Sequence, residues 1–215
     1  MQNSRRERGV LFTGGVAPEE PPSELDTEGA LVVAADSGIE TALKWGVEPQ
    51  LLLGDMDSLK DQSILDRFPR DAVRRYPRDK DETDTELGLM ELFDRGIEDV
   101  TIVGGGGGRL DHLLAIVALF DRDTAPRRWY TDSERVDCLE DSFILNDAVG
   151  ERVSLFPAGR ERCRMTSEGL KWPLDELSWK RGDVGISNVV VARICKIQVI
   201  EGRLIMVRTL PRVSP

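Results

Sequence analysis

The sequence has few of the residues from which many catalytic and metal sites are built. Among its 215 residues there is one histidine, and there are three cysteines. A single histidine, His112, cannot form a histidine-based metal site, and no serine or cysteine is an evident partner for it. The sequence therefore supports neither zinc catalysis nor a hydrolase triad. The cysteines, Cys138, Cys163 and Cys195, are odd in number and widely spaced. This pattern predicts buried thiols in a reducing cytosol and argues against disulfides.

Long apolar runs, an excess of basic residues and the P-loop pattern G-x-x-x-x-G-K-[ST] are also missing. No apolar run approaches the ~20 residues of a membrane span. The pair Arg5-Arg6 is followed by the short apolar run Val10-Leu11-Phe12, far less than a signal peptide needs. The 39 acidic residues outnumber the 29 basic ones, and the net charge is -10. We therefore expect a cytoplasmic protein with no nucleic acid and no membrane as partner, and an anionic ligand only where metal ions intervene.

The first part of the chain alternates predicted strands with predicted helices. Apolar runs predict strands at residues 10–13, 31–35, 51–53, 72–76 and 100–103, and helical patterns cover residues 38–45, 61–67, 83–95 and 110–120. One helix begins at a capping-box pattern, Thr83-Asp84-Thr85-Glu86, and ends at Gly96. Such alternation predicts parallel strands joined by crossover helices, and so a doubly wound, mostly parallel α/β domain. We place this domain at residues 1–132.

The helical pattern disappears after about residue 133. Short strands are predicted at residues 136–139, 142–145, 152–156, 163–166, 189–193, 195–200 and 204–208. Glu201-Gly202 predicts a tight hairpin turn between the last two strands. Closely spaced strands of this kind predict a small antiparallel β-sandwich or barrel, which we place at residues 133–215.

Five consecutive glycines separate the predicted strand at 100–103 from the helix that follows, namely Gly104, Gly105, Gly106, Gly107 and Gly108. A strand that turns through bare backbone into a helix directs several N–H groups and the positive end of the helix at one point. Such a loop is typical of a polyphosphate site, and the neighbouring Arg109 and Asp111 favour a site over a flexible linker. We expect His112 to pack or to form a hydrogen bond beside Asp111.

Acidic residues follow three other predicted strands. Asp36 follows the second strand, Asp55 and Asp57 follow the third, and the run from Asp79 to Asp84 follows the fourth. The carboxyl ends of parallel strands meet at one edge of a sheet, where these acids would repel each other and a bound phosphate. Mg²⁺ resolves the conflict because it takes carboxylate and phosphate oxygens as ligands. The plainer alternatives are Asx-turns at the third strand, a solvated loop after the fourth and a helix cap after the second.

Together these motifs resemble those of the thiamine pyrophosphokinase (thiamine diphosphokinase) family. The matching segments are Asp36-Ser37-Gly38, Gly54-Asp55-Met56-Asp57-Ser58, Asp79-Lys80-Asp81-Glu82-Thr83-Asp84-Thr85-Glu86, Gly107-Gly108-Arg109-Leu110-Asp111-His112, Gly169-Leu170-Lys171-Trp172-Pro173-Leu174 and Ser187-Asn188. They extend over nearly the whole chain, and the first four are jointly specific. The chain departs from the family at Met56, where an aromatic residue is usual, and in the residues that flank Ser187-Asn188.

The resemblance implies an N-terminal α/β domain that binds Mg-ATP and a C-terminal β-sandwich that binds thiamine. It also implies a homodimer with active sites at the subunit interface. In the implied reaction, the diphosphate of ATP is transferred to the hydroxyl of thiamine, which gives thiamine diphosphate and AMP. Mg²⁺ is the implied cofactor, and ATP is the co-substrate.

Residue roles also follow from the resemblance. Asp55, Asp57 and Asp84 would coordinate Mg²⁺, and together with Arg109 and Asp111 they form the expected catalytic set. The expected ATP contacts are Asp36, Asp81, Thr83, Gly104, Gly105, Gly106, Gly107, Gly108 and Arg109. Asp84 or Asp111 would also bind the acceptor or accept its hydroxyl proton.

The acceptor would lie on an aromatic residue of the second half. Trp172 is the candidate, because an indole face offers stacking and cation–π attraction to the thiazolium of thiamine. Ser187 and Asn188 are the other expected substrate contacts. The remaining tryptophans, Trp45, Trp129 and Trp179, are expected to be structural.

Three other functions are open from the residues alone. The chain could transfer diphosphate to another hydroxymethyl heterocycle, such as a pterin. It could be a metal-dependent transferase that uses a sugar nucleotide, which only Asp55-x-Asp57 suggests. It could also be a non-catalytic sensor of thiamine or a nucleotide.

Overall fold

The computed structural model describes residues 8–210, so the pair Arg5-Arg6 lies outside the described residues. It divides into two compact units. The first holds the described residues up to Ile116 together with Trp129–Asp132, and the second holds Val117–Arg128 and the described residues from Ser133 onward. No helix within residues 8–210 combines the length and the apolar character needed to cross a membrane.

The first unit is built on a sheet whose strands run largely parallel. Its strands are β1 (Arg8–Phe12), β2 (Leu31–Ala35), β3 (Leu51–Gly54), β4 (Val73–Arg75), β5 (Asp99–Val103) and β6 (Arg128–Tyr130). Their order across the sheet is β6-β5-β1-β2-β3-β4. The pairs β1–β2, β1–β5, β2–β3 and β3–β4 are all parallel.

The crossover connections carry the helices of this unit. They are α1 (Gly38–Lys44), α2 (Asp84–Asp94) and α3 (Leu110–Leu119), whose last three residues belong to the second unit, with 3-10 helices at Gln62–Arg67 and Arg70–Ala72. Every residue of β2 is buried, as expected for a strand covered on both faces. Gly88 lets α2 approach the sheet closely, since a Cβ there would come within 2.4 Å of the Leu11 side chain.

These features confirm the predicted α/β architecture. The capping box is present, because the Thr83 hydroxyl accepts from the Glu86 amide (3.2 Å) and the Glu86 carboxylate accepts from the Thr83 amide (2.8 Å). Two details differ from the prediction. The helix expected at 61–67 is a 3-10 helix, and the short strand β6 was not predicted.

The second unit is an antiparallel β-sandwich. Its strands are β7 (Glu134–Leu139), β8 (Ser142–Asn146), β9 (Arg152–Ala158), β10 (Cys163–Glu168), β11 (Ser178–Trp179), β12 (Gly185–Val189), β13 (Ile194–Glu201) and β14 (Arg203–Thr209). One sheet has the order β12-β9-β14-β7, and the other has the order β11-β10-β13-β8. The predicted sandwich is therefore confirmed, and Gly202 supplies the positive φ (76°) of the predicted β13–β14 turn.

The core of the sandwich is made of alternate residues from both sheets. Its fully buried members include Val153, Leu155, Cys163, Cys195, Ile197, Leu204 and Met206. All three cysteines are buried and free. Burial raises the pKa of the Cys138 and Cys163 thiols to about 11 and raises that of Cys195 as well.

Arg203 lies at the start of β14 and holds the carboxyl end of α3. Its guanidinium donates to the carbonyls of Phe120 (2.9 Å) and Arg122 (2.6 Å) and to the carboxylate of Glu140 (2.7 Å). These carbonyls follow the last turn of the helix, where no intrahelical donor is available to them.

Candidate active site

Asp36 turns the chain from β2 into α1. Its backbone adopts a left-handed conformation (φ 51°), and its amide donates to the Leu53 carbonyl of the neighbouring strand (2.9 Å). The Ser58 hydroxyl donates to one oxygen of the Asp36 carboxylate, whereas the other oxygen, Oδ1, is buried and has no hydrogen-bond partner. The sequence therefore places a partly buried, incompletely satisfied carboxylate at the carboxyl end of β2.

The loop after β3 forms an Asx-turn. The Oδ1 atom of Asp55 accepts from the Asp57 amide (2.9 Å), and Met56 between them is almost fully buried with a φ of 63°. Asp55 is partly buried, and Asp57 is exposed. An Asx-turn was the plainer alternative for this pair. The turn uses the Oδ1 atom of Asp55, so the Oδ2 atom of Asp55 and the whole Asp57 carboxylate are available to a ligand.

Asp84 is the first residue of α2 and points toward the end of β3. Its Oδ1 atom is buried without a hydrogen-bond partner, although the Lys80 ammonium lies 3.3 Å away. A Cβ on Gly54 would lie 3.1 Å from this oxygen, so the glycine leaves space for the carboxylate beside the strand. Asp81 and Thr83 occupy the exposed segment just before the helix.

Three of these carboxylates influence one another. The pKa of Asp36 is raised to about 6, first by burial and then by the charges of Asp84 and Asp55. Like charges held together in a partly buried place favour a cation among them. Within residues 8–210, no group of three or more His, Cys, Asp or Glu side chains has an arrangement that could hold a metal ion as it stands. The two buried oxygens without a hydrogen-bond partner, on Asp36 and Asp84, nevertheless fit a divalent cation, because carboxylate oxygens are the ligands that such a cation prefers and the Lys80 ammonium lies beside Asp84 alone.

The glycine run packs against a second glycine turn at the end of β1. The amides of Gly104, Gly105 and Gly106 donate to the carbonyls of Tyr130 (2.9 Å), Gly14 (2.8 Å) and Val16 (3.0 Å). These three amides are therefore engaged within the protein. A Cβ on Gly105 would come within 2.3 Å of the Ile116 side chain, whereas one on Gly108 would meet nothing within 4 Å.

This geometry limits which amides of the predicted phosphate loop are available to a phosphate. Within the part of the chain that the structure describes, the amides of Gly107 and Gly108 are the two of the run that no protein acceptor engages. Gly108 is exposed and comes just before the start of α3. A phosphate role for Gly104, Gly105 and Gly106 through their amides does not fit these bonds. The lack of a side chain instead allows Gly104 and Gly106 to pack against the backbone of residues 13–16 and allows Gly105 to pack against Ile116.

Arg109 and Asp111 form an exposed ion pair at the start of α3. The Arg109 Nε and Nη2 atoms donate to the two Asp111 oxygens at 2.9 and 2.6 Å. This guanidinium holds the pKa of the Asp111 carboxyl well below its usual range. Asp111 is therefore a weak base while the pair is intact. His112, which follows it, is exposed.

A cavity of about 360 Å³ lies beside the acidic cluster. The loop after β1, the first two turns of α1 and the loop after β3 form its walls. Its polar lining includes Ser37, Thr41, Lys44, Ser58 and Lys60. Sequence reasoning did not single out this cavity, although the Gly14-Gly15 pair after the first strand was an available signal.

Trp172 differs from the other tryptophans of the chain. Its side chain is 53% exposed, and the Lys171 ammonium lies over its ring at 4.6 Å from the centroid. Trp129 is buried and donates to the Gly104 carbonyl (2.7 Å), Trp179 packs against the sandwich core, and Trp45 contacts Phe12 edge-on. The structural roles expected for those three are confirmed.

Ser187 and Asn188 face different surroundings although they are adjacent in β12. Ser187 is exposed and has a positive φ (58°), whereas Asn188 is 5% exposed. The Asn188 side chain bonds to the backbone of Trp172. Asn188 therefore contacts Trp172, whereas Ser187 presents its side chain to solvent.

Comparison with known protein families gives one match in each half of the chain. A model described as the thiamin pyrophosphokinase catalytic domain matches residues 23–126, and one described as the thiamin pyrophosphokinase vitamin B1 binding domain matches residues 143–204. The chain belongs to the thiamin pyrophosphokinase family. It is therefore an ATP-dependent diphosphotransferase that acts on thiamine, and the resemblance stated from the motifs is confirmed.

Individual thiamin pyrophosphokinases agree with this assignment. The thiamine pyrophosphokinase of Bacillus subtilis strain 168 is 27% identical over 191 residues, which cover 85% of this chain and 88% of the relative. A crystal structure of the Geobacillus thermodenitrificans enzyme has a TM-score of 0.71 at 27% identity and covers 97% of this chain and 100% of its own. The fold is also shared with a B. subtilis crystal structure, with a TM-score of 0.79 at 24% identity over 95% of this chain and 100% of the other.

Proposed function

We propose that this thiamin pyrophosphokinase works as a cytoplasmic, Mg²⁺-dependent homodimer that transfers the diphosphate of ATP to thiamine at the carboxyl edge of the first unit's sheet. The observation that carries this proposal is the cluster of Asp36, Asp55 and Asp84, in which two buried carboxylate oxygens have no hydrogen-bond partner. Such an arrangement is costly unless a cation completes it. An Mg-ATP complex supplies that cation and brings the diphosphate with it.

The metal would be held by Asp55, Asp57 and Asp84, and its charge would also act on Asp36, which senses the charges of Asp84 and Asp55. The Asx-turn presents the first two carboxylates on one loop, and the start of α2 presents the third. When bound, Mg²⁺ neutralises phosphate charge and orients the diphosphate for displacement. The two lysines of the cavity, Lys44 and Lys60, would lie beside the nucleoside part of ATP.

The phosphate chain would lie along the start of α3. The free amides of Gly107 and Gly108 and the positive end of the helix favour an anion there. Arg109 can exchange its Asp111 partner for a phosphate at little cost, because an exposed ion pair contributes little to stability. The exchange would also raise the pKa of Asp111, since the guanidinium that lowers it would then face the phosphate.

In the transfer step, the hydroxyl oxygen of thiamine attacks the β-phosphorus of ATP. The bond from this phosphorus to the bridging oxygen of the α-phosphate breaks, and AMP leaves with that oxygen. Asp84, with an unsatisfied oxygen, or Asp111, once Arg109 has turned to the phosphate, accepts the hydroxyl proton. No strong base is required, since orientation and charge neutralisation supply most of the rate enhancement.

Trp172 would hold the thiazolium ring of thiamine. Its exposed indole already has the Lys171 ammonium over its face, which indicates that this face attracts a cation. The exposed Ser187 would contribute a hydroxyl beside it. If Trp172→Leu left the thiamine KM unchanged, the stacking role would be wrong.

The homodimer is supported by an apolar face on α3. Leu110 and Leu114 lie one turn apart on this helix and are 66% and 58% exposed. Large exposed leucines in such positions are typical of a surface that another chain covers. Light scattering coupled to gel filtration should give the mass of two chains, and a monomer would contradict this part of the proposal.

The decisive experiment incubates the purified protein with Mg-ATP and thiamine and identifies the products by mass spectrometry. AMP together with thiamine diphosphate is expected, and both should disappear when EDTA is added. Formation of ADP with thiamine monophosphate would contradict a diphosphate transfer. Parallel reactions with a hydroxymethylpterin as acceptor test the alternative substrate class, and turnover there but not with thiamine would overturn the acceptor assignment.

A further inference from the structure

The backbone around Trp172 is held more firmly than an exposed aromatic residue requires. The Lys171 amide donates to the Val189 carbonyl (2.8 Å), and Leu170 forms an isolated β-bridge with Val190. On the other side, the Leu174 amide donates to the Ser167 hydroxyl (2.9 Å). Trp172 is thus fixed on both sides while its indole remains half in solvent.

Asn188 completes this anchoring through its side chain. Its oxygen accepts from the Trp172 amide at 3.1 Å, and its nitrogen donates to the Trp172 carbonyl at 2.7 Å. The same oxygen also accepts from the Val189 amide (2.8 Å). The amide group therefore makes three of the four hydrogen bonds that an asparagine side chain can form.

A distortion of β12 turns Asn188 toward Trp172. The pairing of β12 with β9 shifts register between Gly185 and Asn188, and Ser187 within the shift has a φ of 58°. An irregularity of this kind changes the direction of a side chain along the strand. As a result, Ile186 and Ser187 are both exposed, and Asn188 is buried. A strained backbone at a residue other than glycine persists where the surroundings compensate for it, and such residues cluster at functional sites.

These contacts leave Asn188 poorly suited to touch a substrate. Its side chain is 5% exposed, and both polar atoms face the protein backbone. The family resemblance implied a substrate contact for this residue. The geometry favours an indirect role, in which the residue determines where the indole of Trp172 stands.

We propose that Asn188 is a positioning residue of the thiamine site, which acts on acceptor binding through the backbone of Trp172. The inference rests on the proposed function, because it presupposes that Trp172 binds the acceptor. Loss of the amide would free the Trp172 backbone at two points and let the indole leave its stacking position. The effect would fall on thiamine binding, while binding of ATP by the first unit would be unchanged.

A double-mutant cycle tests this role. Asn188→Ala is expected to raise the thiamine KM about tenfold, the size of a lost cation–π contact at a partly desolvated site. The ATP KM should stay within about twofold. In a Trp172→Leu background, the same Asn188→Ala change should add less than about twofold to the thiamine KM, because residues that act through one another are not additive.

Two further variants complete the experiment. Asn146→Ala, an exposed asparagine of β8, is the matched control and should leave both KM values unchanged. Asn188→Gln keeps both the acceptor and the donor of the side-chain amide, one methylene farther from the strand. It should give a smaller rise in the thiamine KM, and it replaces the alanine variant in the cycle if that variant does not fold.

The outcomes separate the inference from the function on which it depends. If the wild-type protein forms no thiamine diphosphate, the proposed function is wrong. If Trp172→Leu leaves the thiamine KM unchanged, both the stacking role and the positioning role are overturned. If Trp172→Leu raises the thiamine KM and Asn188→Ala raises it by the same factor in both backgrounds, Asn188 contacts the substrate directly and only the positioning role fails.

Discussion

Replacing Asp36 with asparagine should stabilise the protein at neutral pH while it damages the active site. The substitution suits the backbone, because asparagine is one of the few residues that tolerate the left-handed conformation found there (φ 51°). The amide oxygen can still accept from the Ser58 hydroxyl, as the Asp36 carboxylate does. The main change is the loss of a negative charge beside Asp84 and Asp55.

The size and the sign of the effect follow from the raised pKa. The pKa of Asp36 is about 6 in the folded protein and 3.8 in the reference state. The protonated carboxyl therefore contributes its full share to the free energy of unfolding below pH 3.8, and this contribution is lost as the pH rises through 6. A shift of this size corresponds to roughly 3 kcal/mol. Because Asp36 is only partly buried, solvent screening reduces the expected cost to about 1 kcal/mol. The asparagine side chain cannot ionise, so the variant avoids this cost at pH 7.5 and gains nothing at pH 4.

Urea unfolding followed by circular dichroism, in EDTA at pH 7.5 and at pH 4, measures the difference. The free energy of unfolding of Asp36→Asn should exceed that of the wild type by about 1 kcal/mol at the higher pH only. Asp66→Asn, at an exposed position, is the control and should behave as wild type at both pH values. Addition of Mg²⁺ should stabilise the wild type more than the Asp36 variant. Equal stabilities at pH 7.5, or a difference that does not change with pH, would refute the reasoning.

Four other predictions concern Asp84, two glycines of the glycine run and the buried thiols. Asp84→Asn should lower turnover at least ~100-fold in a folded protein, as measured by AMP release, and near-normal rates would contradict its role. Gly105→Ala should lower the unfolding free energy by about 2 kcal/mol or more, because its Cβ would lie 2.3 Å from a buried side chain. Gly108→Ala has open space around its Cβ and should cost only about 1 kcal/mol in stability, but it should raise the ATP KM. Equal losses of stability in the Gly105 and Gly108 variants would be inconsistent with the packing difference. Thiol reagents at pH 8 should leave Cys138 and Cys163 unmodified until urea unfolds the protein, because burial raises their pKa to about 11; rapid labelling of the native protein would contradict this.

The sequence predicted most reliably those elements whose signal is local. The continuous apolar run at β2 (Leu31–Ala35) predicted the strand with its observed bounds, and the capping box at Thr83 marked the start of α2. The strands that were missed, β6 and β11, have three and two residues, so they carry too little pattern to detect. The strand expected at 189–193 lies instead at Gly185–Val189, because an irregular pairing with a positive φ at Ser187 interrupts the alternation that identifies a strand.

The candidate site, too, was predicted only in part from the sequence. Topology alone predicted that Asp36, Asp55 and Asp84 would come together, since each follows a parallel strand and such strands end at one edge of the sheet. The function of the glycine run could not be read from the run itself. Three of its amides bond to a tyrosine in β6 and to a second glycine turn near residue 14, and these partners are brought to the loop only by the sheet. The burial of Asn188 against Trp172 is likewise a contact between segments that no sequence motif joins.

The position of Arg203 in the chain constrains the order of folding. Its guanidinium holds carbonyls at the end of α3 that lie 83 and 81 residues earlier in the sequence. During synthesis, α3 leaves the ribosome long before the residue that completes its carboxyl end exists. We therefore expect that end of the helix to fray on the nascent chain and to become protected from amide exchange only after β14 has been made.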